Sequence, residues 1–584
     1  MAFLRNLLAS ILGSLVAFGI LFLMFLIFVS IAGAEEQVRI ANNSVLELRF
    51  TRPVAEYATS DPEDPFAIFD EPTTGLNEIT KAIALAAKDD RISGISLGGP
   101  YLVAGMSQTR AIRNAIADFK ATGKFVYAYS DFYLQKDYYL SSVADSIFLN
   151  PVGELDFKGL AAEVLYFGDF QEQSGLKMEV VRHGKYKSAV EPFLSDTMSD
   201  ENRSQLESLL ESIWGQMRSE IAEGRNMPEA DLDDIANGLL ARSPEKAQAY
   251  GLIDGIMYRD EYDAKLLAAT ESDKKTPSMV SLQDYIKASR NKKVYTGEDR
   301  IAVIYAQGEI LYGEGNQDYI GQGIMVSALK KARENDKVKA VVLRINSPGG
   351  SALSSEIIWR EIRRTQEVKP VVVSLSDVAA SGGYYLAVGA DHILTEPTSI
   401  TGSIGVFLTI PNIEGLSDKI GINAEQVGTH EYALDYSVFE PMREDFREIL
   451  SEGVEETYQT FLERVAEGRD ITVEQAHELA QGRVWSGVQA VENGLADGLG
   501  GLPEAVEKAA ELAEIEDFRL QEMPRYKTGL ERFLEDMNAS SQVNSSEIIE
   551  QELGSEWAGI FQSLKTSLKR EGMQTRLPFE LKIR

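Results

Sequence analysis

Ser381 is the first candidate for chemistry, because it stands between an apolar run and a pair of glycines. The β-branched run from Val371 to Leu375 predicts a buried strand, and the stretch from Tyr384 to Ala390 predicts a short helix. A serine at the turn between them would be exposed at the helix N-terminus, where backbone amides and the helix dipole favour developing negative charge. These residues alone fit equally well a turn in which Ser381 only caps the helix.

Three glycines near this turn could bind an oxyanion. Gly382 follows the serine directly, and a residue without a side chain lets a substrate carbonyl approach the main chain closely. A second apolar strand is expected within Ala340-Val-Val-Leu-Arg-Ile-Asn-Ser-Pro-Gly-Gly-Ser351, and Gly349 and Gly350 are expected to form a turn just past its end. Backbone amides just past a strand end are the donors that an oxyanion hole requires. The two loops together favour nucleophilic attack on a carbonyl group.

The composition removes the commoner alternatives for a nucleophile and its base. The chain has no cysteine, which excludes a thiol nucleophile, disulfides and thiolate metal sites. Its four histidines, at positions 183, 392, 430 and 477, show neither metal-ligand spacing nor a context typical of a triad. We therefore predict neither a metal nor another cofactor.

The chain contains an internal repeat. An offset of 246 residues places Ser130-Asp131 on Ser376-Asp377 and Tyr138-Tyr-Leu140 on Tyr384-Tyr-Leu386, and it needs no gap up to about Lys187. The repeat predicts that the two halves of the chain are duplicated copies of one fold.

Each copy lacks one candidate catalytic residue that the other copy has. Ser381 pairs with Gln135, so the first copy has no serine at this turn. In the other direction, Lys187 pairs with Ala433. A serine in one half and a lysine in the other favour a single site assembled across the two halves.

Three motifs carry a resemblance to a known family. Asn346-Ser-Pro-Gly-Gly350, Ala380-Ser-Gly-Gly-Tyr-Tyr385 and Thr401-Gly-Ser-Ile-Gly405 resemble, in this order, the signature of the signal peptide peptidase A family. The long, two-domain form of that family is similar to this chain from its N-terminal segment to about residue 510. The resemblance implies a membrane-anchored Ser–Lys protease with a Clp-protease/crotonase-like fold. It also implies remnant signal peptides and other apolar peptides as substrates, and a homotetramer.

The resemblance assigns a role to each candidate residue. Ser381 is implied to be the nucleophile, and the motif Tyr186-Lys-Ser-Ala-Val-Glu-Pro-Phe193 carries Lys187 as the general base. Gly349, Gly350 and Gly382 are implied to form the oxyanion hole. Ser403 is implied to hold the lysine amine in line.

A lysine can act as a base only when its amine is neutral. Its ordinary pKa is near 10.4 and must fall to roughly 7–8, which burial among apolar groups can achieve. Glu191 lies four positions from Lys187, and a nearby carboxylate would raise the lysine pKa. The sequence leaves the direction of Glu191 open.

Alternating strand and helix patterns predict an α/β chain of two tandem duplicated domains. Strands are expected at 45–50 and 301–305, and helices at 76–88, 201–223 and 443–468. We expect four parts: an N-terminal stub and anchor at 1–34, a lysine-bearing domain at 45–285, a serine-bearing domain at 298–515, and a C-terminal extension of unassigned role at 525–584.

Residues 7–32 are almost wholly apolar, which predicts one transmembrane helix. A cleaved signal peptide ending at Ala32-Gly-Ala34 is the competing interpretation, although its apolar core would be unusually long. Arg5 precedes the span, so the positive-inside rule leaves the short N-terminus in the cytoplasm. The expected location is a bacterial inner membrane, crossed once, with the catalytic body on the periplasmic side.

The formal net charge of −32 disfavours nucleic acid as a partner.

Two other functions stay open from sequence. A crotonase-like acyl-CoA enzyme would share the paired oxyanion glycines, but an acidic, anchored chain suits it poorly. A non-catalytic membrane scaffold would have no reason to keep both Ser381 and Lys187.

Overall fold

The structure is a computed structural model that describes most of the chain. The described ranges are 38–58, 73–99, 101–272, 274–435, 437–526 and 573–576, together with residues 5, 6, 9, 10, 12–14, 16–20, 23 and 24. The predicted membrane span at 7–32 falls largely outside these residues. Among the residues described, no helix is both long and apolar enough to cross a membrane.

The first half of the chain forms a six-stranded parallel sheet. Its strands follow one another across the sheet in the order Gly255–Ile256, Ser146–Leu155, Phe125–Tyr133, Ile92–Gly98, Ser44–Leu48 and Ser278–Ser281. The α-helices of this half are Leu76–Ala87, Met106–Ala121, Gln135–Ser141, Gly168–Ser174, Asp200–Arg225, Glu229–Gly238, Pro244–Ala249, Arg259–Ala269 and Leu282–Ser289. Val54–Ala55 and Thr74–Gly75 form a separate, two-stranded parallel ribbon.

The second half repeats this plan. Its sheet runs Val484–Ser486, Ile400–Gly402, Val371–Ala380, Val338–Ser347, Asp299–Gln307 and Phe518–Met523. His392–Thr395 also pairs with Val371–Ala380, and Gly498–Leu499 pairs in turn with His392–Thr395. Its α-helices are Gln322–Glu334, Ala352–Gln366, Gly382–Ala387, Glu414–Ile420, Glu444–Arg469, Val473–Leu479, Gly487–Glu492 and Leu502–Leu512. The last strand of this sheet, Phe518–Met523, lies beyond the limit of 515 expected for the second domain.

Equivalent strands stand in the same order in both sheets, so the prediction of an α/β chain built from two repeats is confirmed. The long helices Asp200–Arg225 and Glu444–Arg469 also match in length at 26 residues each. We call the two halves the first and the second repeat.

A third, mixed sheet joins the repeats. Lys177–Arg182 of the first repeat pairs antiparallel with Phe407–Asn412 of the second. This sheet also contains Tyr319–Gly321, Glu309–Leu311, Gly349–Ser351 and Gln574–Arg576. We call Val371–Ala380 the nucleophile strand, Gly349–Ser351 the glycine strand and Gln574–Arg576 the tail strand. Because Lys177–Arg182 ends five residues before Lys187, this pairing brings the lysine to the second repeat.

Candidate active site

Ser381 stands in a strained turn between the nucleophile strand and the helix Gly382–Ala387. Its backbone has φ +56° and ψ −115°, a conformation that residues with side chains seldom adopt and that is often stored at functional sites. The Ser381 amide donates to the carbonyl of Gly402 at 2.7 Å, and its own carbonyl accepts from the Tyr385 amide at 2.8 Å. These bonds hold the turn, and the residue is fully buried.

Lys187 reaches this serine from the other repeat. Its Nζ lies 2.7 Å from Ser381 Oγ, within hydrogen-bond distance. The same amine donates to the carbonyl of Ser403 at 3.0 Å and contacts Ser403 Oγ at 3.1 Å. The predicted site residues Lys187, Ser381 and Ser403 therefore lie in one hydrogen-bonded cluster, and the lysine amine has a fixed direction.

Burial sets the protonation of Lys187. The side chain is fully buried, and loss of solvation lowers the lysine pKa well below its ordinary value. Glu191 points away, since its carboxylate accepts from the Ser199 amide at 2.8 Å and from Asn202 Nδ2 at 2.6 Å. The structure thereby answers the question that the sequence left open, and a neutral amine suits the site.

Two glycines make room for the buried lysine. A Cβ on Gly405 would lie 3.2 Å from Lys187 Cδ, and one on Gly482 would lie 2.6 Å from the Lys187 backbone. Gly405 belongs to the recognised motif Thr401-Gly-Ser-Ile-Gly405. Gly482 was not singled out in the sequence, where Gln481-Gly482 gives no signal beyond an ordinary turn.

The predicted oxyanion glycines lie in two neighbouring elements. Within the described part of the chain, the amides of Gly382 and Gly383 at the start of their helix donate no hydrogen bond. A Cβ on Gly383 would lie 2.8 Å from the carbonyl of Ser347, so the two loops are in close contact. Gly349 and Gly350 form the glycine strand rather than the expected turn, with φ of +98° and +151°.

The tail strand lies against this glycine strand. The two pair antiparallel, with Gly349 opposite Arg576 and Ser351 opposite Gln574. The carbonyl of Met573 also accepts from the Ala352 amide at 3.2 Å. A segment from the C-terminal extension thus occupies the backbone edge that carries two of the three predicted oxyanion glycines.

In the first repeat, a hydrogen-bonded glutamine side chain occupies the position equivalent to Ser381. Gln135 Oε1 accepts from the amides of Lys158 at 2.9 Å and Gly159 at 2.7 Å, and its Nε2 donates to the Gly159 carbonyl at 2.9 Å. A glutamine therefore fills the place that holds the Lys187–Ser381 pair in the second repeat.

The histidines have other partners. His183 contacts Glu455 and stacks on Tyr458, whose hydroxyl also contacts His477 at 2.9 Å. His392 lies 3.8 Å from Asp497, and His430 contacts Thr429. In the described ranges, no cluster of histidine and carboxylate side chains could hold a metal ion.

Comparison with known proteins identifies the family. The sequence model of peptidase family S49 matches residues 118–273 and 363–516, one stretch in each repeat and more than half of the chain. The chain belongs to peptidase family S49. As an S49 peptidase it is a serine peptidase.

Relatives of this S49 peptidase match it across both repeats. Protease 4 of Haemophilus influenzae is 37% identical over 76% of this chain and 75% of its own length. The chloroplastic serine protease SPPA of Arabidopsis thaliana is 34% identical over 80% of this chain and 70% of its own. Protease 4 of Salmonella typhi is 34% identical over 81% and 78% respectively. The resemblance to the long, two-domain form of signal peptide peptidase A is thereby confirmed.

Proposed function

We propose that this S49 peptidase cleaves peptide bonds with Ser381 as nucleophile and Lys187 as general base. The observation that carries the proposal is the 2.7 Å contact between Lys187 Nζ and Ser381 Oγ, made by a lysine whose pKa burial lowers. A base must lie within hydrogen-bond reach of the proton it removes and must be unprotonated. The 2.7 Å distance supports the first requirement, and the lowered pKa of the buried amine supports the second.

The reaction proceeds through an acyl-enzyme. The neutral Lys187 amine takes the Ser381 proton while Oγ attacks the carbonyl carbon, and the carbonyl oxygen becomes an oxyanion. The amides of Gly382 and of the glycine strand (Gly349 and Gly350) donate to that oxyanion. The C–N bond then breaks as the Lys187 ammonium protonates the leaving amine. The regenerated neutral amine then takes a proton from a water whose oxygen attacks the ester carbon. The C–Oγ bond breaks, the acid leaves, and the Lys187 ammonium returns its proton to Ser381 Oγ.

Ser403 is assigned a positioning role in this reaction. Its carbonyl and hydroxyl both contact the Lys187 amine, so they can accept from the two N–H groups of the neutral amine. The lone pair of the nitrogen then points at Ser381 Oγ, as proton transfer requires.

Extended, apolar peptides are the proposed substrates, and remnant signal peptides are the proposed natural class. The family resemblance supports this class. The pairing of the tail strand with the glycine strand supports an extended substrate, because it shows that this backbone edge accepts an added strand. A digest of a peptide library tests the class, and a preference for charged residues beside the scissile bond would contradict it.

Membrane anchoring through residues 7–32 is part of the proposal. Six large apolar side chains of this segment that the structure describes are each more than half exposed: Leu12, Val16, Phe18, Ile20, Leu23 and Met24. A bacterial inner-membrane anchor, with the body on the periplasmic side, would cover them and concentrate the enzyme near apolar peptides. Loss of membrane sedimentation after deletion of residues 1–34 is the expected result.

The remaining family features stay proposals. They are the Clp-protease/crotonase-like fold of both repeats, the domain limits of 45–285 and 298–515, and a homotetramer. Analytical ultracentrifugation of the detergent-solubilised protein tests the last of these. The acyl-CoA alternative loses its support, because the S49 family consists of peptidases.

A fluorophosphonate probe tests the nucleophile directly. We expect it to label Ser381 in the wild type, to leave Ser381→Ala unlabelled, and to label Lys187→Ala far more slowly. Lys185→Ala is the matched control for the lysine, since Lys185 is exposed and two positions away. Absence of labelling and of peptide hydrolysis in the wild type would favour the scaffold alternative instead.

A further inference from the structure

Asp377 joins the two repeats four residues before Ser381. Its Oδ1 accepts from the amides of Ser107 at 2.8 Å and Gln108 at 3.2 Å. These amides begin the helix Met106–Ala121 of the first repeat, whose own capping residue is Gly105. A carboxylate of the second repeat therefore caps a helix of the first, which favours its ionised form.

The other carboxylate oxygen reaches the end of the strand Val338–Ser347, which precedes the glycine strand. Asp377 Oδ2 accepts from Asn346 Nδ2 at 3.3 Å, and Asn346 Oδ1 accepts from the Val378 amide at 3.2 Å. Asn346 lies three residues before Gly349 in the chain. Asp377 and Asn346 thus tie the nucleophile strand to the end of the strand Val338–Ser347, from which the chain leads directly into the glycine strand.

Charged groups from three other elements surround this carboxylate. Glu56 Oε1 accepts from Asn346 Nδ2 at 3.2 Å, and Glu56 Oε2 accepts from Arg344 Nε at 2.9 Å. Lys136 lies nearby with its Nζ donating to the Ala104 carbonyl at 2.5 Å. Burial and the Glu56 charge raise the pKa of Asp377 to about 6, although the hydrogen bonds from the helix amides and the charge of Arg344 act to lower it.

We propose that Asp377 is a positioning residue, whose ionised carboxylate holds the glycine strand and the Ser381 turn at the spacing that oxyanion binding requires. The inference rests on the proposed function of Ser381 and Lys187. Asp377 contacts neither of them, and it acts through Asn346 and through the strand that ends at the serine. The first repeat supplies the support, because its helix fixes the carboxylate from outside the second repeat.

Asp377→Asn tests this role with a side chain of the same shape. The substitution removes the negative charge from the helix terminus. If the new amide oxygen keeps the bonds from the helix amides, its NH2 group faces the NH2 group of Asn346; if the amide rotates, the bonds from the helix amides are lost. We expect kcat to fall about tenfold and KM to stay within about twofold, because misplaced catalytic groups weaken transition-state binding more than substrate binding.

The pH dependence separates positioning from a general structural effect. Below about pH 6 wild-type Asp377 becomes neutral, so the wild type then resembles the asparagine variant. The ratio of wild-type to variant kcat should therefore be largest near pH 8 and fall toward one as the pH drops. The titration of Lys187 is common to both proteins and cancels in the ratio.

Two matched controls complete the experiment. Asp131→Asn changes the equivalent residue of the first repeat, an exposed carboxylate that bonds to Tyr129 and Asn150, and it should leave kcat unchanged at every pH. Gly105→Ala disturbs the contact between Asp377 and the helix terminus from the first repeat, since its Cβ would lie 2.1 Å from Asp377 Cγ. It should reproduce the loss, whereas Gly215→Ala, which has open space at its Cβ, should not.

The outcomes are distinguishable. A kcat ratio of one, or a ratio that stays constant from pH 5 to pH 9, overturns the inference. Full activity of a folded Gly105→Ala protein overturns it as well, and this variant decides the question if Asp377→Asn does not fold by circular dichroism. Failure of the proposed function would instead appear as an active Lys187→Ala protein.

Discussion

Lys187 Nζ and Ser381 Oγ lie 2.7 Å apart in space and 194 residues apart in the chain. Neither repeat holds both residues, since the first repeat has Gln135 in place of the serine and the second has Ala433 in place of the lysine. Duplication followed by loss of one partner in each copy explains why a single site remains. The antiparallel pairing of Lys177–Arg182 with Phe407–Asn412 holds this site together.

Substitution of the two residues should not be additive. Ser381→Ala and Lys187→Ala should each lower kcat by at least about 10³-fold, and the double variant should be no worse, because the two side chains act as one unit. Peptide hydrolysis by the purified proteins measures this. Gln135→Ala and Ala433→Lys, at the repeat-equivalent positions, should keep wild-type chemistry. A much slower double variant would mean that serine and lysine act independently.

Activity should rise with pH. Only the neutral Lys187 amine accepts the serine proton, and burial places its pKa well below the ordinary value for lysine. The rising limb of kcat/KM against pH should therefore have its midpoint well below 10. A profile that begins to rise only near the ordinary lysine pKa would show that the amine is solvated, and would contradict the buried geometry.

Lys187→Met should stabilise the protein while abolishing turnover. The folded-state pKa of Lys187 is depressed, so the unfolded state binds one more proton at any pH between the folded pKa and about 10.4, and this proton favours unfolding. Methionine removes that cost. We expect a higher unfolding temperature than wild type near pH 7 and a smaller difference near pH 10, measured by calorimetry. A lower unfolding temperature at pH 7 would show that the bonds to Ser403 outweigh the cost of burial.

Gly482→Ala should damage the site through the lysine backbone. Its Cβ would lie 2.6 Å from Lys187, whereas a Cβ on Gly494 would meet nothing within 4 Å, and both glycines have φ +80°. Backbone strain of about 1 kcal/mol is therefore common to both alanine variants. We expect Gly482→Ala alone to lose more than about tenfold in kcat/KM, since a shift of this size misaligns the amine. Equal losses in both variants would assign the effect to strain.

Deletion of residues 573–584 should lower KM for peptides. The tail strand pairs with the glycine strand, so substrate must displace it to use the same backbone edge. We expect kcat to stay the same, because no residue of the proposed dyad is removed. A synthetic peptide of residues 573–584 should inhibit the deletion variant competitively. An unchanged KM would place substrate on a different edge.

Much of the local structure follows from sequence pattern. The helix expected at 76–88 is Leu76–Ala87, and those expected at 201–223 and 443–468 are Asp200–Arg225 and Glu444–Arg469. Hydrophobic periodicity indicates such elements because each must turn an apolar face to the sheet. The offset of 246 residues likewise indicates two repeats, since equivalent residues occupy equivalent strands.

The sequence alone predicts the repeat, the turn at Ser381 as a candidate site, and one serine and one lysine as its candidate residues. The folded chain is needed to show that Glu191 turns away from Lys187, that Gly482 makes room for this lysine, and that Asp377 reaches the first repeat. It also replaced the expected turn at Gly349 and Gly350 by a strand. The reason is physical: local patterns report the neighbours along the chain, whereas the direction of a buried polar side chain depends on partners that only the packed repeats bring near.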